Sequence, residues 1–329
     1  MDDILSKLVK NVFYEKLTFE KMYEAYERAR KNKTFREEVL KFEYYLEKNL
    51  VSIITDIKKG KYKLGKYREF KVYEPKERII KSLPFRDRIV HQWVVYEFLN
   101  PYVVPKFIYD SYACLKGKGT HKAVKRIEHF MYLAKQRYGN YYIIKMDVKK
   151  FFYNINRNIL MKIIKRNFKD KIFLKLCETL IFDDDSALGI PIGNYTSQYF
   201  ANMYLNELDQ YIKHELKIKY YVRYMDDFIL LVENKKVAKK VFNQVEIFLK
   251  EKLKLKLNHK SRYYPSRMGV NFCGYRIFNT HKLIRNRSKK RMRLRTKLWN
   301  KLYHEGNLNI NKVKRSINSW YSHIKHADS

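Results

Sequence analysis

Hydrophobic positions along this chain of 329 residues change their period repeatedly, and each change predicts a different element. Residues 1–60 read as helical. Within them Thr34-Phe35-Arg36-Glu37 matches a capping box, Val39, Phe42, Leu46, Leu50, Ile53 and Ile57 follow at helical spacing, and Gly60 closes the run. Residues 67–85 (YREFKVYEPKERIIKSLPF) alternate as strands do and predict a hairpin turning around Pro75–Glu77. Residues 86–140 return to a helical pattern, broken by CLKGKGTH, and YYIIKMDV (141–148) predicts a strand. A long helix is expected over 196–217, with Phe200, Met203, Leu208, Ile212 and Leu216 on one side. YYVRYMDDFILLV (220–232) predicts two short strands turning at the acid pair, 236–255 an amphipathic helix, 269–278 a strand or hairpin, and the basic tail from 279 a helix. Helices mixed with antiparallel strand signals, without a strict βαβ alternation, indicate an α+β fold.

The acid pair inside the predicted 220–232 hairpin needs an explanation. Asp226 and Asp227 sit together in an apolar and aromatic run, where an unpaired carboxylate is costly. Either a tight turn opens them to water, or a divalent cation offsets their repulsion. Asp147 also ends an apolar strand, with Lys145, Lys149 and Lys150 around it. Two strands that deliver carboxylates at one end can meet side by side and hold two divalent cations ~3.5–4 Å apart, the arrangement used for in-line phosphoryl transfer. Mg²⁺ suits such a site, because it needs few carboxylates when substrate phosphates complete its octahedron. The run Asp183-Asp184-Asp185, in the polar stretch FDDDSALG, reads instead as a solvated turn.

Charge narrows the partner class. Lys and Arg number 71 against 34 Asp and Glu, a net +37 that exceeds what solubility needs and points to a polyanion. No apolar run approaches the ~18 residues of a membrane span, and MDDILSKLVK is too polar for a secretory signal. Cys114, Cys177 and Cys273 are odd in number and form no CxxC pair, so neither a disulfide framework nor a zinc site is indicated, and a reducing cytoplasm is expected.

Several motifs, in one order, resemble those of reverse transcriptases. Tyr224-Met225-Asp226-Asp227 resembles the YxDD motif. Asp147 with Phe152 resembles the first catalytic motif and its aromatic steric gate. GIPIGNYTSQYFANMYLNELD (189–209) resembles the motif that opens a helix beneath the incoming nucleotide, LNHKS (257–261) the lysine-bearing loop, NFCGYRI (271–277) the primer grip, and YEPKERIIKSLPFRDRIVHQ (73–92) the fingers of bacterial members. The finer similarity, carried by GIPIGNYTSQ, YREFKVYEPKER, DSYACLKGKGTHKA and GYRIFNTHKL, is to the enzymes of diversity-generating retroelements, with phage-defence reverse transcriptases as relatives.

The resemblance implies a right-hand polymerase with an antiparallel palm sheet. Residues 1–60 would form a helical N-terminal extension, 61–278 the fingers and palm, and 279–329 a basic helical thumb. It implies that Asp147, Asp226 and Asp227 hold two Mg²⁺ ions, with Mn²⁺ as a substitute. Lys76 and Arg78 would clamp phosphates, Phe152 exclude a 2′-OH, and Ile192, Gln198 and Lys260 stand near the nucleotide. From the residues alone, Phe152 reads as ordinary core, and Lys260 serves nearly as well as a solvated loop residue. Tyr224, Met225, Cys273, Gly274 and Tyr275 would meet the primer, and Arg291, Arg293 and Arg295 the template–primer phosphates. Implied partners are an RNA template, a DNA or RNA primer, deoxynucleotide triphosphates, a noncoding RNA and a small basic accessory protein. Error-prone copying for diversification, copying of a noncoding RNA in phage defence, and a catalytically silent RNA-binding protein remain as alternative functions.

Overall fold

A computed structural model describes residues 12–73, 77–182, 184 and 186–328. In chain order its main elements are α1 (Phe19–Arg30), α2 (Glu37–Glu43), α3 (Leu46–Lys58), β1 (Arg68–Val72), β2 (Arg78–Ser82), α4 (Phe85–Val94), α5 (Thr120–Tyr138), β3 (Tyr142–Asp147), α6 (Phe151–Asn154), α7 (Arg157–Asn167), α8 (Lys171–Ile181) and α9 (Tyr195–Gln210). They continue with β4 (Tyr220–Tyr224), β5 (Asp227–Val232), α10 (Lys235–Lys252), β6 (Arg262–Pro265), β7 (Val270–Phe272), β8 (Tyr275–Ile277), β9 (Lys282–Ile284), α11 (Asn286–His304) and α12 (Ile310–Ile324). The described residues divide into two units. One comprises the chain up to Ile108 with Lys149–Gln210 and Phe248–Lys256; the other comprises Tyr109–Val148, Tyr211–Ile247 and the chain from Leu257.

The first unit is mainly helical, around an aromatic core. Trp93 and Phe98 meet edge to face with ring centroids 5.1 Å apart, and Phe98 stacks on Phe173 at 4.3 Å. Such pairs add to the area they bury. The helix expected after the capping box differs from the sequence pattern. Arg36, not Thr34, occupies the N-cap, without a side-chain bond, and the run breaks into α2 and α3 at Tyr44–Tyr45. A turn closed by the Arg36 amide on the Lys33 carbonyl at 3.0 Å takes up the residues before α2, so the Thr34 hydroxyl has no helix to cap. The break is sealed by Asn49, whose amide donates to the Phe42 carbonyl at 2.9 Å. β1 and β2 form an antiparallel ribbon with Val72 opposite Arg78. Of the turn expected at Pro75–Glu77, Pro75 and Lys76 lie outside the described residues.

The second unit holds a four-stranded sheet in the order β4-β5-β3-β6, every pair antiparallel. β4 and β5 are buried along almost their whole length rather than alternating, as strands covered on both faces are. α5 supplies much of that cover. Ala123, Val124, Ile127, Phe130, Met131 and Ala134 recur on one of its sides and join one core with Ile143, Val222, Ile229, Leu231, Phe272, Tyr275 and Ile277. Gly119 at φ +125 and Gly139 at φ +66 bound the helix. The basic tail begins with a strand, not a helix: β9 pairs with β8 and completes a three-stranded sheet, β7-β8-β9. α11 and α12 follow and bury no residue fully. The helix expected over 196–217 keeps its α form through Gln210 and continues as a π-helical turn, Tyr211–Glu215. No helix among the described residues is long and apolar enough to cross a membrane.

His91 on α4 is buried in the first unit, with Nδ1 2.7 Å from the Thr196 hydroxyl and no partner for Nε2. Burial pushes its pKa down to about 3, from an ordinary 6.5. Below pH 6.5 the unfolded chain therefore binds a proton that the folded chain refuses, so this contribution to stability is complete above that pH and is lost as the pH falls. In urea unfolding at pH 7.5 and 5, the native protein should lose ~2 kcal/mol more between the two conditions than His91→Asn does. Equal losses would mean that His91 does not titrate with unfolding.

Candidate active site

The carboxylates of the second unit lie at the paired ends of its central strands. β3 ends at Asp147 and β5 begins at Asp227, and the two are direct cross-strand partners. Opposite residues of an antiparallel pair share a face, with Cα atoms ~4.5–5.5 Å apart. Tyr224 pairs with Asp227, so Met225 and Asp226 form a two-residue hairpin turn. Met225 holds φ +55, a left-handed conformation unusual for a branchless apolar side chain and more often filled by Gly or Asn. Two neighbours secure the turn. The Val148 amide donates to the Asp226 carbonyl at 3.2 Å, and Arg223, fully buried on β4, donates from Nη1 to the Met225 carbonyl at 3.1 Å. Loss of such a charge-assisted bond would leave a buried guanidinium short of a partner.

Three residues outside the predicted site hold the acids, and one of them brings a charge. Lys145, two residues before Asp147 and on the same strand face, makes an ion pair with Asp227. Its ammonium also lies 5.3 Å from the centre of the Phe272 ring. Burial pushes Lys145 down to about 7, against the upward pull of the Asp147 and Asp226 carboxylates. Asn258 donates its side-chain amide to Asp147 Oδ2 at 2.9 Å and its backbone amide to the Asp147 carbonyl at 2.7 Å. Ser261 takes the Asp147 amide on its hydroxyl at 3.1 Å. Asn258 thus fixes one carboxylate oxygen and leaves the other uncommitted by this bond. Strand period was a signal for Lys145, and a lone arginine in the apolar stretch YYVRY was a signal for Arg223. Asn258 lay in a quoted motif, but nothing in its spacing tied it to a carboxylate 111 positions away.

These acids fit a hard cation in donor chemistry, since every available ligand atom is oxygen. They do not form a ready cage: among the described residues, no three His, Cys, Asp or Glu side chains cluster as a metal site. Mg²⁺ needs no such cage, because it retains water and takes one or two carboxylates.

The remaining expected residues divide between the units. In the first, Phe152 is half-buried on α6, and its carbonyl accepts from the Ile190 amide at 2.9 Å. Ile192 is half-buried, and its carbonyl accepts from the Lys81 amide at 3.0 Å. Gln198 is exposed on α9, Arg78 begins β2, and Lys76 lies outside the described residues. In the second unit, Lys260 is exposed in the Asn258 loop, its amide donating to Asn258 Oδ1 at 3.1 Å. Tyr224 is partly buried. Cys273 and Gly274, at φ +45 and +95, make the β7–β8 turn. Tyr275 differs from a surface contact: it is fully buried, with its hydroxyl donated to the His323 carbonyl at 2.7 Å, so its side chain anchors the turn. Arg293 is exposed on α11, whereas Arg291 and Arg295 line a groove with Ser316, Ser319, Trp320 and His323.

The ion pair yields a test of the carboxylates as cation ligands. Lys145→Met removes the cation paired with Asp227, and should lower the melting temperature by roughly 3–5 °C. Millimolar Mg²⁺ should restore most of that loss in the variant, while moving the native protein little. Absence of a Mg²⁺ response in the variant, read by differential scanning fluorimetry, would show that the acids do not share a cation.

Residues 57–277 match the family described as reverse transcriptase (RNA-dependent DNA polymerase). The chain is 26% identical over 264 residues to protein YkfC of Escherichia coli, covering 67% of each. It is 24% identical over 279 residues to a COX1/OXI3 intron 2 protein of Saccharomyces cerevisiae, covering 65% of this chain and 31% of that protein. Among solved structures, apo telomerase from Candida tropicalis truncated from its C-terminal domain aligns with a TM-score of 0.49 at 16% identity, over 67% of this chain and 55% of that one. Telomerase from Candida albicans aligns with a TM-score of 0.49 at 12% identity, over 68% and 47%. The chain thus spans about a third of the yeast protein and about half of the telomerase chains. The family match covers two thirds of the sequence and includes Asp147 and the Asp226–Asp227 pair: this chain belongs to the reverse transcriptase family, with its right-hand polymerase fold.

Proposed function

We propose that the protein copies RNA into DNA by nucleotidyl transfer at Asp147, Asp226 and Asp227. The pairing of Asp147 with Asp227, beside a strained turn that carries Asp226, is the observation that supports this most. Divalent cations held by these three acids, Mg²⁺ first and Mn²⁺ as substitute, would lower the pKa of a primer 3′-OH and neutralise charge on the leaving pyrophosphate. The chain's own residues do the rest. Asn258 orients Asp147, and Arg223 holds the turn beneath Asp226. Lys76 and Arg78 clamp the triphosphate, Phe152 packs against the deoxyribose, and Ile192 and Gln198 face the nucleotide and template. Lys260 serves the departing pyrophosphate. The groove-lining arginines of α11, with Arg293, grip the duplex backbone, in keeping with a net +37. Substrates are an RNA template, a DNA or RNA primer and deoxynucleotide triphosphates, in the cytoplasm.

Primer extension on an RNA template with and without Mg²⁺ tests this reading. Asp147→Asn and Asp226→Asn should each abolish synthesis and leave RNA binding within about twofold, because the acids repel RNA rather than hold it. Near-normal extension by either variant would remove that residue from the site. Retained RNA binding without any extension by the native chain would favour a catalytically silent RNA-binding protein.

The biological setting we infer is a diversity-generating retroelement, with copying of a noncoding RNA in phage defence as the alternative. Ile192 supports the first. It offers the nascent pair shape without a hydrogen bond, and one such polar contact is worth ~1–3 kcal/mol of selectivity. The native protein should miscopy template adenine, and Ile192→Gln should lower the error rate, read by sequencing cDNA made from a defined RNA. Accurate copying of adenine by the native protein would shift the reading to defence.

A further inference from the structure

One buried charge in the first unit lies beside segments assigned above to the nucleotide, yet none of those roles uses it. Arg157, the first residue of α7, is 3% exposed. Its Nε donates to the Gly189 carbonyl at 2.5 Å, and its Nη1 to the Asp184 carbonyl at 3.1 Å and Asp184 Oδ1 at 2.8 Å. Its own amide donates to the Ala187 carbonyl at 3.0 Å. One residue therefore gathers the backbone of 184, 187 and 189. Asp184 is held as well: Oδ1 accepts from the Ser186 amide at 3.0 Å, and Oδ2 lies 3.8 Å from the Lys81 ammonium. Burial raises its pKa, but the Ser186 amide and the Arg157 guanidinium outweigh this and keep it below the ordinary value. The sequence pattern had suggested only a solvated turn there.

What the clamp holds leads directly to the two proposed selectivity residues. Next to Gly189, the Ile190 amide donates to the Phe152 carbonyl at 2.9 Å, and further on the Ile192 carbonyl accepts from the Lys81 amide at 3.0 Å. Gly189 at φ +83 donates its amide to the Ile155 carbonyl at 2.8 Å. At Gly193, φ +128, an added Cβ would come within 2.5 Å of the Lys81 carbonyl, so backbone meets backbone with no room to shift. Arg157, Asp184, Lys81, Tyr153, Gly189 and Ile192 line one open cavity of about 210 Å³. A lysine could not replace this fork, because a single ammonium cannot serve the Gly189 carbonyl and Asp184 in fixed, planar geometry.

We propose that Arg157 is a positioning residue: its clamp on Asp184 and Gly189 sets the distance between Phe152 and Ile192, and so the selectivity for deoxyribonucleotides over ribonucleotides. This rests on the reading that Phe152 and Ile192 face the incoming nucleotide.

The test uses the full chain with Arg157→Lys, and Asp184→Asn as the milder variant should the first fail to fold. Single-nucleotide addition of dATP and ATP is measured with KM and kcat separated, alongside melting temperature and amide exchange at Gly189 and Ile190. The expected result is a KM for dATP raised about tenfold with kcat nearly unchanged, and a dATP/ATP preference narrowed by a similar factor. Phe152→Ala should add little further narrowing in the Arg157→Lys background, and the Gly189 and Ile190 amides should exchange faster. An unchanged dATP/ATP ratio, or a full Phe152→Ala effect in that background, would overturn the proposal and leave Arg157 a structural residue. If the native chain adds neither nucleotide, the polymerase reading has failed. The exchange measurement then decides on the clamp alone, and unchanged protection of Gly189 and Ile190 overturns it.

Discussion

Antiparallel pairing of β3 with β5 places two carboxylates face to face at the end of a buried sheet, and much of the second unit is arranged around that repulsion. Like charges directly opposite on a sheet destabilise it. The register cannot slip to relieve them. A shift by one residue would turn every side chain of the shifted strand to the other face and break its packing against the neighbours on both sides. The chain instead places an ammonium, Lys145, on the same strand face, and donates an amide from Asn258 to one oxygen of Asp147. Both are arrangements that a divalent cation can modify without refolding the strands, because both act through side-chain tips.

The scarcity of acids shapes how buried cations are satisfied elsewhere. With 71 basic residues against 34 acidic ones, carboxylates are scarce, and backbone carbonyls also serve buried guanidinium groups. Arg223 turns to the Met225 carbonyl, and Arg157 to the carbonyls of Gly189 and Asp184 with one carboxylate beside them. A guanidinium suits this use, since its fixed fork reaches several acceptors at once. Carbonyls left over for such a bond are found where the backbone departs from regular structure. In this protein those places are the Met225–Asp226 turn and the Asp184–Gly193 segment, each of which carries residues assigned to catalysis or selectivity. Strained or irregular backbone persists where its surroundings over-determine it.

The C-terminal helices follow another logic. α11 and α12 bury no residue fully, and Leu294, Leu298, Ile317 and Tyr321 stay exposed among lysines and arginines. Such a surface gains little from folding alone. Basic side chains whose aliphatic stems stay exposed form the kind of surface that a polyanion can neutralise and cover.

How much was legible in advance depended on the range of the interaction. The hairpin at Asp226–Asp227, the strand ending in Asp147, the amphipathic α10 and the β7–β8 hairpin all follow from local periodicity. So does the family itself, because motif order is a property of the chain. Local signals failed where tertiary contacts compete with them. Thr34 could have capped a helix, but a turn closed on Lys33 took its place, and the start of the tail, Lys282–Ile284, paired as a strand because β8 offered it an open edge before the expected helices began. The sequence by itself determined which residues could bear charge, which runs had to be buried, and that three acids stood at strand ends. Only the tertiary structure decided that Asp147 faces Asp227, that Lys145 and Asn258 restrain them, and that Arg157 ties Gly189 to Asp184. Those pairings join positions tens of residues apart in the chain, and the register and burial that choose them exist only once the sheets and helices have packed.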